Sequence, residues 1–179
     1  MARFANGLLI LLTIGLTGCA LQVQVGGFSS ANLDASQRLV EVGQMQEKFQ
    51  ELQQNNIVPS NVLISDITLP TGLKLNGDQM VVAQGSKHKV LGYFFVNKAP
   101  NLALNNVDAF KLIKQAAGAM GADFVYLVLQ SENVTRAHYN SGGLDSGPSK
   151  QYYNETLYYS KAWAVKLDPQ VAKKLKAKK

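Results

Sequence analysis

The stretch Ala116-Ala117-Gly118-Ala119-Met120-Gly121-Ala122-Asp123-Phe124-Val125 passes from helix to strand within three residues. Its first half is small and free of β-branched residues, which suits a helix end packed closely on its neighbours. Gly121 stands where a left-handed residue stops a helix. Phe124 to Leu129 (FVYLVL) is then apolar at every position, as a strand covered on both faces must be. Helix and sheet therefore share one core at this point.

Upstream, Asn106 to Met120 continues the helix. Val107, Phe110, Ile113 and Ala117 form one stripe, Leu112, Ala116 and Met120 widen it, and Asn106 or Asp108 can cap it. Before it, Val90 to Val96 (VLGYFFV) reads as a central strand closed off by Lys98-Ala99-Pro100. Strand, helix and strand in this order predict a β-α-β unit. Between Ile57 and Val90 the punctuation is that of short strands: Val62-Leu63-Ile64, then Leu73-Lys74-Leu75, then Met80 to Ala83. Pro70-Thr71-Gly72 and Asn76-Gly77-Asp78 are the turns, the second being the strongest turn signal in the chain.

Residues 33–56 carry a helical pattern, with Asn32 or Asp34 as cap and Asp34 to Gln37 at capping-box spacing. Val42, Met45, Phe49 and Leu52 recur at 3-4-3 spacing, and Leu39 extends the stripe. This pattern allows a seam for a partner or a second copy. It equally allows an amphipathic helix lying on its own domain. Downstream, 131–150 reads as a polar loop, with Ser141-Gly142-Gly143 and Ser146-Gly147-Pro148 as breakers. Tyr152 to Leu167 reads as a long strand with Trp163 and Val165 inward, Leu157 and Tyr159 on the same alternation, and Lys161 interrupting that face. The expected class is α+β: one small domain (57–168) with a β-α-β unit in a mixed sheet, preceded by the helix (33–56) and followed by a basic tail (169–179).

The helix-to-strand junction resembles the A-x-x-M-G-A-[DN]-x-V pattern of small bacterial envelope domains. Among these are the stress-sensing outer-membrane lipoprotein of the Rcs pathway and its oligomeric β-α-β relatives. The resemblance spans about 25 residues within 106–130 and implies a fold more than a function. That sensor is stapled by disulfides, whereas this chain has one cysteine, Cys19.

That cysteine closes the segment Leu16-Thr17-Gly18-Cys19. Arg3 and the amino terminus lead into the apolar run Leu8 to Leu16, an n-region and h-region of secretory type. The run is too short for a comfortable membrane span, which needs roughly 20 apolar residues. The four residues resemble a bacterial lipobox, which implies cleavage between Gly18 and Cys19 and diacylglycerol and palmitate on the new terminus. Residues 1–18 are then a signal peptide and 19–32 a lipidated tether. Ala20 is not the aspartate that holds lipoproteins at the inner membrane, which implies an outer-membrane anchor with the protein on the periplasmic face. With the thiol consumed, neither a disulfide nor a cysteine metal site remains.

The 179 residues carry a formal charge of +6. Removing Arg3 with the leader leaves 17 basic against 12 acidic residues, and Lys173, Lys174, Lys176, Lys178 and Lys179 account for the whole excess. The basic character is a property of the tail, and a nucleic-acid face is not implied. Those lysines are candidates for contact with an anionic surface, or they belong to a solvated terminus.

Five of the seven tyrosines, Tyr139, Tyr152, Tyr153, Tyr158 and Tyr159, fall close together beside a Ser/Gly/Asn-rich segment. Tyrosine combines contact area with a hydroxyl, so this composition suits partner recognition. It also suits the half-buried face of a sheet. The partner-binding candidates are these tyrosines with Val42, Met45, Phe49 and Leu52. No catalytic residue and no metal site is assigned, since the sequence contains no G-x-S-x-G, H-E-x-x-H or phosphate-cradling glycine loop. His88 and His138 lie in different segments, and the sequons Asn133-Val134-Thr135 and Asn154-Glu155-Thr156 carry no weight in a bacterial lipoprotein.

The expectation is a non-enzymatic accessory subunit of an envelope-spanning assembly, such as a secretion-system core, with other envelope proteins as partners and a homo-oligomer as one form. An envelope stress sensor is the alternative, and a periplasmic hydrolase a third reading. No cofactor is expected beyond the covalent lipid. Intact-mass measurement of membrane-fraction protein should find a chain beginning at Cys19 and bearing acyl groups. Cys19→Ala should be uncleaved and unacylated, and an unmodified wild-type mass would remove the anchor.

Overall fold

A computed structural model describes residues 24–31, 33–97, 107–140 and 149–177. Residues 1–18, read above as a signal peptide, lie outside the described residues, as do Cys19, Lys178 and Lys179. The elements in chain order are β1 (Gln24–Ser30), α1 (Ala35–Gln54), β2 (Leu63–Ser65), β3 (Leu73–Asn76), β4 (Gln79–Val82), β5 (Lys89–Asn97), α2 (Val107–Ala119), β6 (Phe124–Asn140), β7 (Ser149–Lys166) and α3 (Pro169–Lys176). Five strands form one sheet in the order β1-β5-β7-β6-β2, and β3 and β4 form a separate hairpin.

The sheet is mixed and the class α+β, as the sequence implies. β6 pairs in parallel with β2, while β1-β5, β5-β7 and β7-β6 are antiparallel. β5 and β6 thus run the same way with β7 between them, so the β-α-β unit is split by the strand that follows it. Gly121 ends α2 at φ 75°, as its position predicts. The hairpin turns at Gly77-Asp78, with Asn76 opposite Gln79 and Gly77 at φ 62°. That is the primed geometry which matches strand twist.

Each face of the sheet carries its own core. On one face Val125 and Leu127 of β6, Ala162 and Ala164 of β7 and Phe94 and Val96 of β5 pack beneath Ala109, Ile113, Ala116 and Ala117 of α2 and Met45 and Phe49 of α1. On the other, Phe124, Tyr126, Trp163 and Val165 pack beneath Leu73 and Met80 of the hairpin and Ala172 of α3. The alternation read for Trp163 and Val165 is the observed one. Small residues set the helix spacing: a Cβ on Gly118 would stand 2.5 Å from Pro59 Cγ. Gln115, fully buried, donates through Nε2 to the Leu52 carbonyl (3.1 Å) and the Ile57 carbonyl (3.0 Å), tying α1 to α2.

Three expectations are corrected. The tether does not extend to residue 32, because Gln24–Ser30 is an edge strand paired with β5. The glycine pair that reads as spacer forms a bulge between Val25 and Phe28, with Gly27 at φ 79°. Residues 33–56 are not a separate unit. Asp34 caps α1 by accepting from Gln37 N–H (2.9 Å), but Met45 and Phe49 are buried in the common core, and the Phe49 ring meets Phe28 at 5.6 Å. The stripe is also shorter than the sequence suggests, since Leu39 is 76% exposed. The basic tail, finally, begins as α3. Asp168 caps it, Pro169 occupies its first turn, and Ala172 and Leu175 face the second core.

Close approach of β1 to β5 depends on Gly92, at φ 153°, where a Cβ would lie 1.8 Å from the Ser29 carbonyl oxygen. No side chain fits without parting the strands. Gly92→Ala should cost about 3 kcal/mol or more in urea denaturation. A loss under about 1 kcal/mol would mean that β1 is not held there.

Candidate functional site: the ribbon of β6 and β7

The two longest strands outrun the sheet. β5 stops opposite Tyr159, and β2 stops opposite Tyr126. β6 and β7 continue as a two-stranded ribbon of ten further ladder pairs, from Ser131 opposite Tyr158 to Asn140 opposite Ser149. At roughly 3.3 Å per residue the ribbon is about 33 Å long. The polar stretch read as loop from 131 is strand as far as Asn140. The reason is cross-strand chemistry that cannot be seen one strand at a time.

One face of the ribbon carries a polar ladder. Thr135 Oγ1 donates to Asn154 Oδ1 at 3.0 Å, and Thr156 Oγ1 donates to Asn133 Oδ1 at 2.9 Å. The two sequons are therefore one structural device, the Asn of each bonded to the Thr of the other. Further along this face Lys150 Nζ sits 5.0 Å from the centre of the Tyr152 ring. On the opposite face Arg136 Nε pairs with Glu155 at 2.5 Å, next to Tyr153, Val134 and Glu132. Neither face has the continuous apolar alternation of a strand exposed to lipid. Among the described residues no helix is long and apolar enough to cross a membrane.

The predicted tyrosines divide. Tyr152 and Tyr153 are exposed (66% and 49%) on opposite faces. Tyr159 is half-buried at the root, its ring 5.7 Å from Phe95. The backbones of Tyr139 and Tyr158 stand opposite Lys150 and Ser131; their side chains lie outside the described residues. The α1 candidates do not join this surface. Met45 and Phe49 are buried, and Val42 and Leu52 are half-buried, because α2 and Phe28 already take up that face. Lys173, Lys174 and Lys176 are exposed on α3, at the end of the sheet where β7 finishes and away from the ribbon.

At the root lies a cluster that sequence reasoning read only as an interruption. Lys161 is 8% exposed, with its Nζ 4.5 Å from the Tyr93 ring centre, 4.7 Å from that of Trp163 and 2.9 Å from Asp78 Oδ2. Trp163 Nε1 donates to the Asp78 carbonyl at 2.9 Å. The hairpin turn is thereby latched over the aromatic row Trp163, Tyr93, Phe95, Tyr159. The only sequence signal was a lysine on an otherwise inward alternation, and its partner stands 83 residues away.

His88 is likewise structural. It is buried, its Nδ1 accepts from the Asp168 N–H (2.9 Å), and its Nε2 therefore donates to the Thr71 carbonyl (2.9 Å). Both ring nitrogens are engaged with backbone, and His138 stands opposite Gln151 on the ribbon. Among the described residues no cluster of His, Cys, Asp and Glu is arranged to hold a metal ion.

No family model, curated protein or solved structure matches the chain.

The Lys161 ammonium beside Asp78, through its hydrogen bond and then its charge, holds that carboxyl below the ordinary carboxylate range. A carboxyl lowered on folding gives stability that is complete above its unfolded value and is lost as pH falls through its folded value. The latch is thus at full strength at neutral pH and weakens below about pH 4. Asp78→Asn should flatten the acid limb of the stability curve and destabilise more than Lys161→Met. The first variant leaves a buried cation, whereas the second leaves a half-exposed carboxylate and an apolar stem and so stays nearer to wild type. The reverse order in urea titrations would refute the latch.

Proposed function

We propose that this chain is a non-enzymatic, lipid-anchored subunit of a periplasmic assembly such as a secretion-system core. Cys19 holds it to the outer membrane, and the ribbon holds it to other envelope proteins. The observation that carries the reading is the ribbon itself, which projects ten ladder pairs past the sheet and exposes Tyr152 and Tyr153. A two-stranded ribbon gains little stability alone in water. Exposed tyrosines among Asn, Thr and Ser are the composition of a recognition surface.

The placement of the anchor supports the same reading. β1 opens at Gln24 opposite Asn97, at the end of the sheet from which the ribbon leaves. Only Ala20 to Val23 separate Cys19 from β1, a reach of at most about 14 Å. The domain then sits close to the head groups, and the polar ribbon runs along the membrane surface, where neighbouring envelope proteins are within its reach. The α3 lysines lie at the far end, so their counterpart is an acidic protein surface rather than the anchoring leaflet.

Tyr152→Ala combined with Tyr153→Ala should cut recovery of crosslinked envelope proteins from the membrane fraction several-fold while the melting temperature moves by no more than about 2 °C. Unchanged capture would sink the reading. A partner bound only under envelope stress would favour the sensing role.

A further inference from the structure

The free edge of β6 is self-complementary. Consider a second copy, antiparallel and related by a two-fold axis through Val134, perpendicular to the ribbon. Glu132 then stands opposite Arg136 of the second copy, Asn133 opposite Thr135, and Val134 opposite itself. We propose that two copies of this chain pair through this edge, merging their ribbons into a four-stranded antiparallel sheet with β6 strands at its centre. The proposal names one occupant for the ribbon and rests on the preceding reading only in treating the ribbon as a contact surface.

Three observations carry it. First, β6 is unpaired on its outer side beyond Tyr126, and its ladder with β7 runs to Asn140 without a register shift. From Leu127 to Asn140 it contains neither proline nor glycine. Edge strands are ordinarily protected by such breaks, and this one is long, straight and open.

Second, the polar ladder is left half-used. Asn133 Oδ1 accepts from Thr156 and Thr135 Oγ1 donates to Asn154. The Asn133 amide N–H groups and the Thr135 oxygen lone pairs remain available, and these are the groups that the two-fold axis sets against each other. The Asn-Thr row already built inside one ribbon would continue across the junction, once on each side of the axis.

Third, charge selects the register. Arg136 pairs with Glu155 through Nε, which leaves its terminal amino groups for a second carboxylate. Glu132 has no ion pair among the described residues. Moving the axis to residue 133 or 135 abolishes both Glu-Arg oppositions. Moving it to Glu132 or Arg136 sets like charges face to face. The axis at Val134 alone forms two Glu-Arg and two Asn-Thr pairs around a half-buried valine.

The test is disulfide trapping and sedimentation of the purified full-length chain. Val134→Cys should oxidise to a covalent dimer, since the axis brings the two residues 134 within bonding range. His138→Cys should form no covalent dimer, because its symmetry mate lies eight positions away, about 27 Å. Wild type, with Cys19 only, controls for that thiol. Glu132→Arg should weaken association about tenfold or more while the far-UV spectrum stays that of wild type. Equal trapping at 134 and 138, a Val134→Cys chain that remains monomeric, or a Glu132→Arg chain that associates as tightly as wild type would each overturn the pairing. A monomer that still captures envelope proteins through Tyr152 and Tyr153 removes the pairing alone. A dimer formed by a chain without lipid or partners keeps the pairing and removes the assembly reading.

Discussion

β7 is the strand on which everything else is placed. It is the middle strand of the sheet, and its alternation divides the molecule: Ala162 and Ala164 face the helices, Trp163 and Val165 face the hairpin and α3. The choice of residues on the two faces is unequal for a physical reason. Alanines leave room on that side, where Ala116 and Ala117 of α2 join them in one core. The opposite face has no long helix over it and fills its volume with an indole and a phenol ring instead. A one-residue slip of β7 would place tryptophan under the helix and alanine under the hairpin, and both cores would fail together.

The buried cation follows from that division. The hairpin is short, with four residues in each strand, and its turn reaches the row of rings at Trp163. Lys161 fills the position with an aliphatic stem against the rings and an ammonium turned to Asp78, which the primed turn at Gly77 carries to the right place. The Asp78 carbonyl meets the indole N–H in the same step. One turn residue therefore satisfies the two polar groups that the aromatic packing would otherwise strand, which ties a local backbone conformation to a long-range contact.

What was legible in the sequence was what a single segment encodes. The stop at Gly121, the cap at Asp34, the Gly77 turn and the inward alternation of Trp163 and Val165 all rest on neighbours within a few residues. The split of the β-α-β unit by β7 was not legible, because strand order is set by pairing between distant segments. Gly26 and Gly27 lie in the stretch that reads as tether, because a bulge and a tether use the same residues, and only the partner strand distinguishes them. The ribbon was half visible: its tyrosines stood out, but Asn133, Thr135, Asn154 and Thr156 look like loop residues until the two strands are laid side by side.

The proposed lipid on Cys19 would constrain how such a ribbon can act. If the chain begins at a lipidated Cys19, the strand that follows it enters the sheet at the ribbon's end within four residues. A ribbon about 33 Å long then cannot stand away from the bilayer, and its two polar faces cannot enter it. The remaining direction is parallel to the membrane, which confines its search for a mate to two dimensions and aligns the β6 edges of neighbouring copies. Such confinement would raise the effective concentration of that edge. With a lipid on Cys19, anchor and edge would be parts of one device: the lipid would supply proximity, and Glu132, Asn133, Thr135 and Arg136 the register.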